Sequence, residues 1–338
     1  MFWLLYLMGH FVQRKLLQYI GLLGITMILL LVLAGCARDD EKSMDEVSYR
    51  LKWLFNISVV GDLYAHDSGL FAKNGLKVTV KPGGPEKDAI KELELGHAQF
   101  GVASADQVIR AVSKGAPIVV IAQLFQINPL HWIYRPDKTP LKTPQDLKGK
   151  TIGITHGGND ETIMRALLAK YNIRESEVNL FSVRYDYTPF YQGKVDLWPL
   201  YRNAQAPIIG AKLQKAGERF DLMDPSKMGI RFVANSVVTT RKMLEERPET
   251  VKNFTRALLQ GWREALKPTN KEKAIDTVLK HNKETPEEIV RQQLPATRIL
   301  MMPTPDFEFG KIDPAAWRQT EEIMLSQKLI PVPVFVEK

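Results

Sequence analysis

Residues 152–173 read IGITHGGNDETIMRALLAKYNI. A β-rich run ends at Thr155 and His156, Gly157 and Gly158 follow, and the polar cluster from Asn159 opens onto apolar residues at helical spacing. This is the layout of an anion cradle. Glycines let backbone approach a ligand closely, and a helix start offers unpaired N–H groups with about half a positive charge. The same residues also describe a plain turn, in which Gly158 and Asn159 only lead the chain into a capped helix. Other chemical patterns are thinner. The six histidines, His10, His66, His97, His131, His156 and His281, show no metal spacing of the His-Glu-x-x-His kind, and no Gly-x-Ser-x-Gly nucleophile elbow occurs. No catalytic residue, metal site or cofactor is expected.

The only cysteine is Cys36, at the end of Leu33-Ala34-Gly35-Cys36. Before it lie Arg14, Lys15 and the apolar run LLQYIGLLGITMILLLVLA. A basic segment, an apolar core and small residues at a cut site predict a secretory signal over 1–35, and the last four residues match a bacterial lipobox. Cys36 would then carry a diacylglyceryl anchor, with 36–47 as a polar tether. A retained membrane helix over 16–34 is the other reading that length permits. A lone thiol spent on lipid leaves no internal disulfide and no thiolate metal site. The chain is therefore expected in the cell envelope, lipid-anchored and facing the periplasm or exterior. ATP and NADH are scarce there, so location argues against a phosphate-loop enzyme. The formal charge is +8, from 46 Lys and Arg against 38 Asp and Glu, but the basic residues are scattered and no nucleic-acid motif accompanies them.

The elements that must position these residues alternate. YRLKWLF has strand period, with Tyr49, Leu51, Trp53 and Phe55 on one face. GDLYAHDSGLFAKNG reads as helix closed by Gly75, LKVTVKP as strand, PEKDAIKELELG as helix, AQFGVAS as strand, SADQVIRAVSKG as helix and APIVVIAQLF as a buried strand. This β-α alternation predicts a doubly wound α/β lobe. After the linker YRPDKTPLKTPQDLKGK a second series begins, with strands near 150–155, 178–183 and 195–198 and helices near 160–171, 188–192 and 203–216. FVANSVVTTRKML gives another β-run, and the rest is mainly helical. Its best segment, 249–267, puts Val251, Phe254, Leu258, Trp262, Ala265 and Leu266 on one face.

Several landmarks fall in a known order: LKWLFN, GLFAKNGLKVTVKPGG, GHAQFGVASADQVIRAVSKGAPIVVIAQLFQ, DLKGKTIGI, GGND and GKVDLWPLY. From about residue 48 to 338 the chain resembles the substrate-binding lipoproteins of ABC importers, in the group serving thiamine pyrimidine precursors, nitrate, sulfonates and taurine. The resemblance implies a type II periplasmic-binding fold, two α/β lobes with an interlobe cleft: lobe I over 48–131, lobe II over 132–235, and a return to lobe I with the C-terminal helices over 236–338. It implies a small-molecule solute, and an ABC permease and ATPase subunits as partners.

Cleft residues are expected at strand ends: Trp53, Asn56, Tyr64, Ser104 and Phe125 in lobe I, and Thr155, Gly157, Gly158, Asn159, Asp186, Asp196, Trp198 and Tyr201 in lobe II. Rings suit a planar heterocycle, with Asn56, Asp186 and Asp196 at its polar edges. Sulfonate, taurine or nitrate is the alternative, although carboxylates beside the site would repel an anion. Where the pyrimidine-binding relatives tend to continue Tyr-Asn-Glu, this chain reads YRNAQAP. A pyrimidine-synthesising enzyme of the same fold needs a cysteine-rich iron motif, which one cysteine cannot supply.

Overall fold

The computed structural model describes residues 44–334, apart from 85, 185, 305 and 306. The signal segment and the lipidation expected at Cys36 lie outside the described residues.

Strand β1 spans Asp45–Arg50 and buries Val47 and Tyr49 on one face. It starts inside the stretch read as tether and ends before Trp53, so the alternation through Phe55 overran the strand. The ladder stops where Leu51 N–H donates to Lys81 O at 2.9 Å, and Gly83 N–H then holds the departing loop at Trp53 O. A Cβ at Gly83 would sit 2.0 Å from Leu51 O, so only glycine lets these two loops touch. Helices α1 (Val60–Asp67) and α2 (Leu70–Lys73) follow, then β2 (Leu76–Lys81), α3 (Ala89–Glu94), β3 (Phe100–Ala103), α4 (Ala105–Val112) and β4 (Ile118–Gln123).

The chain then crosses into β5 (Leu130–Tyr134), a strand buried along its whole length. After it come β6 (Thr151–Ile154), α5 (Asn159–Lys170), β7 (Asn179–Ser182), α6 (Thr188–Tyr191), β8 (Leu197–Tyr201), α7 (Gln205–Lys215) and β9 (Asp221–Met223). A second crossover leads back into β10 (Ser236–Thr240), and helices α8 (Arg241–Glu246), α9 (Pro248–Ala265), α10 (Lys271–His281), α11 (Glu287–Met301) and α12 (Pro314–Ser326) complete the order.

Two sheets result, ordered β2-β1-β3-β10-β4 and β7-β6-β8-β5-β9. Each sets three parallel strands beside one antiparallel strand that has just crossed from the other lobe, β10 in lobe I and β5 in lobe II. The crossovers are bonded side by side: Leu124 and Phe125 N–H both donate to Asn235 O, and Asn128 Nδ2 donates to Phe232 O. Lobe II therefore opens at β5, which the sequence pattern did not reveal.

The returning helices close the cores. α9 buries Val251, Phe254, Leu258, Trp262 and Ala265 against α1, the face its periodicity predicts, with Phe254 stacked 3.7 Å over Phe100. α12 covers the other face of the lobe I sheet with Trp317 and Met324. α11 reaches both lobes, because Gln293 Nε2 donates to Ala204 O at 2.6 Å while the helix also packs on the 3₁₀ turn Ile57–Val59.

Candidate functional site

A cavity of about 350 Å³ lies between the lobes, within the size range of small-molecule sites. Its walls come from the segments that follow β1, β2 and β3 in lobe I and β6, β7 and β8 in lobe II, together with Asn235 of the second crossover. These are the C-terminal ends of parallel strands, where helix starts converge.

In lobe I, Trp53 lies half-buried in the loop leaving β1. Asn56 caps the turn that follows, its Oδ1 accepting from Ser58 N–H at 2.8 Å. Ser104, fully buried, ends β3 and starts α4: its N–H donates to Gln107 Oε1 and its hydroxyl to Asp106 Oδ1 at 2.5 Å. That hydroxyl is held against the first turn of α4.

In lobe II the glycine loop is folded around its own carboxylates. Thr155 N–H donates to Asp160 Oδ2 at 2.6 Å, Gly157 N–H to Glu161 Oε2 at 2.7 Å, and Gly158 N–H to Thr155 O at 2.8 Å. Gly157 has φ +75°, and a Cβ on Gly158 would come within 2.4 Å of Asp160 Oδ1. Gly158 thus admits the inward-turned Asp160, while Gly157 meets a positive φ. Burial pushes the Asp160 carboxyl up to about 6, partly offset by the N–H groups of Thr155, Asp160 and Glu161. Burial also opposes the charge on Glu161, but Gly157 N–H, Arg165 and His156 outweigh it and hold that carboxyl below its usual range. The N–H groups of Thr155, Gly157 and Gly158 are thus already taken inside the loop. Among the described residues, buried Asn159 Nδ2 has no hydrogen-bond partner, which leaves a neutral donor on this wall.

Tyr201, at the end of β8, has its hydroxyl 3.4 Å from Asn235 Oδ1 and its ring edge-on to Phe125 at 6.2 Å. Tyr187 extends the aromatic lining, and burial pushes its hydroxyl up to about 12.

Of the residues expected in the cleft, Trp53, Asn56, Ser104, Thr155, Gly157, Gly158, Asn159 and Tyr201 meet there. Five stand elsewhere. Tyr64 is 5% exposed on α1, in the lobe I core. Phe125 is buried behind Tyr201 and supports that ring. Trp198 is 1% exposed and packs with Tyr187 and Phe190, because alternation along β8 turns it to the face opposite Tyr201. Asp196 accepts from Thr151 N–H and Thr139 Oγ1, tying the linker to β6. Asp186 is exposed and accepts from Thr188 N–H at the start of α6. Sequence reasoning missed Lys52, Ser58, Gln107, Arg184, Tyr187 and Asn235. Arg184 and Tyr187 follow the end of β7, so the strand-end rule was enough to find them. Asn235 carries no such signal, since its place depends on the crossover.

Paired α/β lobes, double crossovers and an interlobe cavity at the strand ends define a two-lobed periplasmic-binding fold. The chain belongs to the NMT1/THI5-like family, whose model matches residues 56–271. It is similar to the riboflavin-binding protein RibY of Chloroflexus aurantiacus, 24% identical over 325 residues that cover 90% of this chain and 87% of the relative. It is also similar to the formylaminopyrimidine-binding protein of Halalkalibacterium halodurans, 22% identical, covering 92% and 95% of the two chains. Among solved structures, the periplasmic aliphatic sulphonate-binding protein SsuA of Escherichia coli superposes with a TM-score of 0.66 at 18% identity, over 86% of this chain and 90% of that one.

Proposed function

We propose that this protein is the solute-binding subunit of an ABC importer, closing its lobes on a small planar heterocycle of the pyrimidine type and passing it unchanged to a permease. One observation carries the ligand class. The cavity offers rings from both lobes, Trp53 in one and Tyr187 and Tyr201 in the other, and neutral amides at Asn56, Gln107, Asn159 and Asn235, while the N–H groups of Thr155, Gly157 and Gly158 are spent inside the loop. Flat rings stack on aromatic faces, and amides read both donors and acceptors at a heterocycle's edge. A sulfonate held at a helix start would need the N–H groups that this loop has used.

Relatives named for riboflavin and formylaminopyrimidine binding support the same class. The absence of turnover is supported by the engagement of Ser104 and Asp160, each hydrogen-bonded within its own loop and helix start. The acyl anchor at Cys36, which would hold the lobes on the outer side of a membrane beside the permease, belongs to this reading as well.

Thermal-shift and native mass measurements on the full-length chain test it. A formylaminopyrimidine or riboflavin should raise the melting temperature and appear as an intact, mass-unchanged adduct. Stabilisation by taurine or an alkanesulfonate alone, or a chemically altered ligand, would sink the reading.

A further inference from the structure

The rings and amides account for a flat polar ligand but leave three charges without a role. Lys52 follows β1, Lys87 follows β2 and Arg184 follows β7, and all three line the one cavity. Among the described residues, none of the three has a side-chain hydrogen bond or ion pair. The wall carboxylates do not serve as their counter-ions. Asp88 accepts from Lys91 N–H at the start of α3 and from Gln107 Nε2, and Asp160 is turned back to Thr155. Both carboxylates sit at helix starts, whose partial positive charge offsets their own. Exposure also sorts the groups. Ser58, Ser104 and Asp160 are buried, whereas Lys52 is half-buried and Lys87 and Arg184 are exposed, so the cations stand toward solvent on both walls.

Resting on the heterocycle reading above, we infer that the ligand carries a phosphate monoester, with its ring against Trp53 and Tyr201 and its phosphate between Lys52, Lys87 and Arg184. Charge-assisted hydrogen bonds to a dianion are the strong kind, and Arg184 can meet two phosphate oxygens at once. The placement also couples binding to closure. Lys52 and Lys87 belong to lobe I and Arg184 to lobe II, so like charges oppose closure of the empty cleft and a bridging anion reverses the sign. The glycine loop offers the phosphate little, because the N–H groups of Thr155, Gly157 and Gly158 are occupied.

Calorimetric titration of the full-length protein with matched pairs tests this: riboflavin against riboflavin 5′-phosphate, and 4-amino-5-hydroxymethyl-2-methylpyrimidine against its phosphate. In at least one pair the phosphorylated member should bind roughly tenfold tighter or better at low salt, and the ratio should shrink as salt rises. In the Lys87→Gln/Arg184→Gln double variant that ratio should fall toward one. Equal affinity within every pair that binds, or a ratio the double variant leaves intact, overturns the phosphate assignment while the heterocycle reading stands. Failure of both members of both pairs to bind overturns the two together.

Discussion

Asp160 reaches back five residues to accept the N–H of Thr155 at 2.6 Å, placing a buried carboxylate where a loop of this shape would otherwise hold an incoming anion. The glycine at 158 is explained by that internal guest, and the glycine at 157 by its positive φ. Asp160→Asn keeps an oxygen for Thr155 and removes a desolvated charge, so it should leave stability at pH 8 unchanged or higher. Asp160→Ala strands the Thr155 N–H and should cost about 1–3 kcal/mol. Urea denaturation of the two variants checks the ordering, and a more stable alanine variant would contradict it.

Two tryptophans in lookalike sequence settings should respond in opposite ways. Trp53→Ala removes a cleft ring and should weaken ligand binding by about tenfold, with little change in melting temperature. Trp198→Ala empties a site 1% exposed and should destabilise the protein by about 3–5 kcal/mol. Calorimetry and thermal unfolding on the same preparations separate these outcomes; loss of affinity without loss of stability in the Trp198 variant would return that ring to the cleft.

A second buried carboxyl, Asp62, accepts from Tyr49 Oη at 2.6 Å, and the Trp262 indole also lies close enough to favour its charged form. Burial pushes Asp62 up to about 7, against the lowering effect of the Tyr49 hydroxyl, its own backbone N–H and the Trp262 indole. A native acid with a raised pKa keeps its proton after the unfolded chain has lost it, so stability falls as pH rises from about 4 to about 7. Asp62→Asn removes that slope while leaving an acceptor for Tyr49. Its melting temperature should exceed that of the parent by roughly 3 °C or more at pH 8, and the gap should narrow toward pH 5. A gap independent of pH would rule out titration of Asp62.

Asn203 ties the lobes together below the cleft. Its Nδ2 donates to Ser58 Oγ of lobe I at 3.1 Å and to Thr297 Oγ1 of α11 at 2.9 Å. Asn203→Ala leaves buried Ser58 without this partner in the lobe arrangement seen here, at a cost of about 1–3 kcal/mol. Ligand affinity should drop by roughly tenfold through the closure step. Unaltered affinity would show that the contact persists equally in open and closed forms.

Legibility from sequence followed locality. The helix over 248–265 could be read because its buried face repeats every three or four residues, and the parallel strands because each is bounded by its own helices. β5 was not legible: LHWIY is a short apolar run buried on both faces, and it pairs with strands far along the chain. In the cleft, strand-end loops such as 155–159 could be placed by topology alone. Trp198 and Asp196 could not, because their partners (Phe190, Tyr187, Thr139) are set by packing that no local pattern encodes. The overrun of β1 at Trp53 has a physical reason too, since the chain leaves the sheet there to aim that ring across the gap.

The insertion of β10 between β3 and β4 bears on how the molecule is made. Every strand of the second sheet lies between residues 130 and 223, so a ribosome delivers that half whole. The first sheet stays divided until Ser236–Thr240 arrives to join its two pieces. An emerging chain would thus hold one finished lobe and one unfinished lobe, with the N-terminal strands waiting for a segment made nearly two hundred residues after β1.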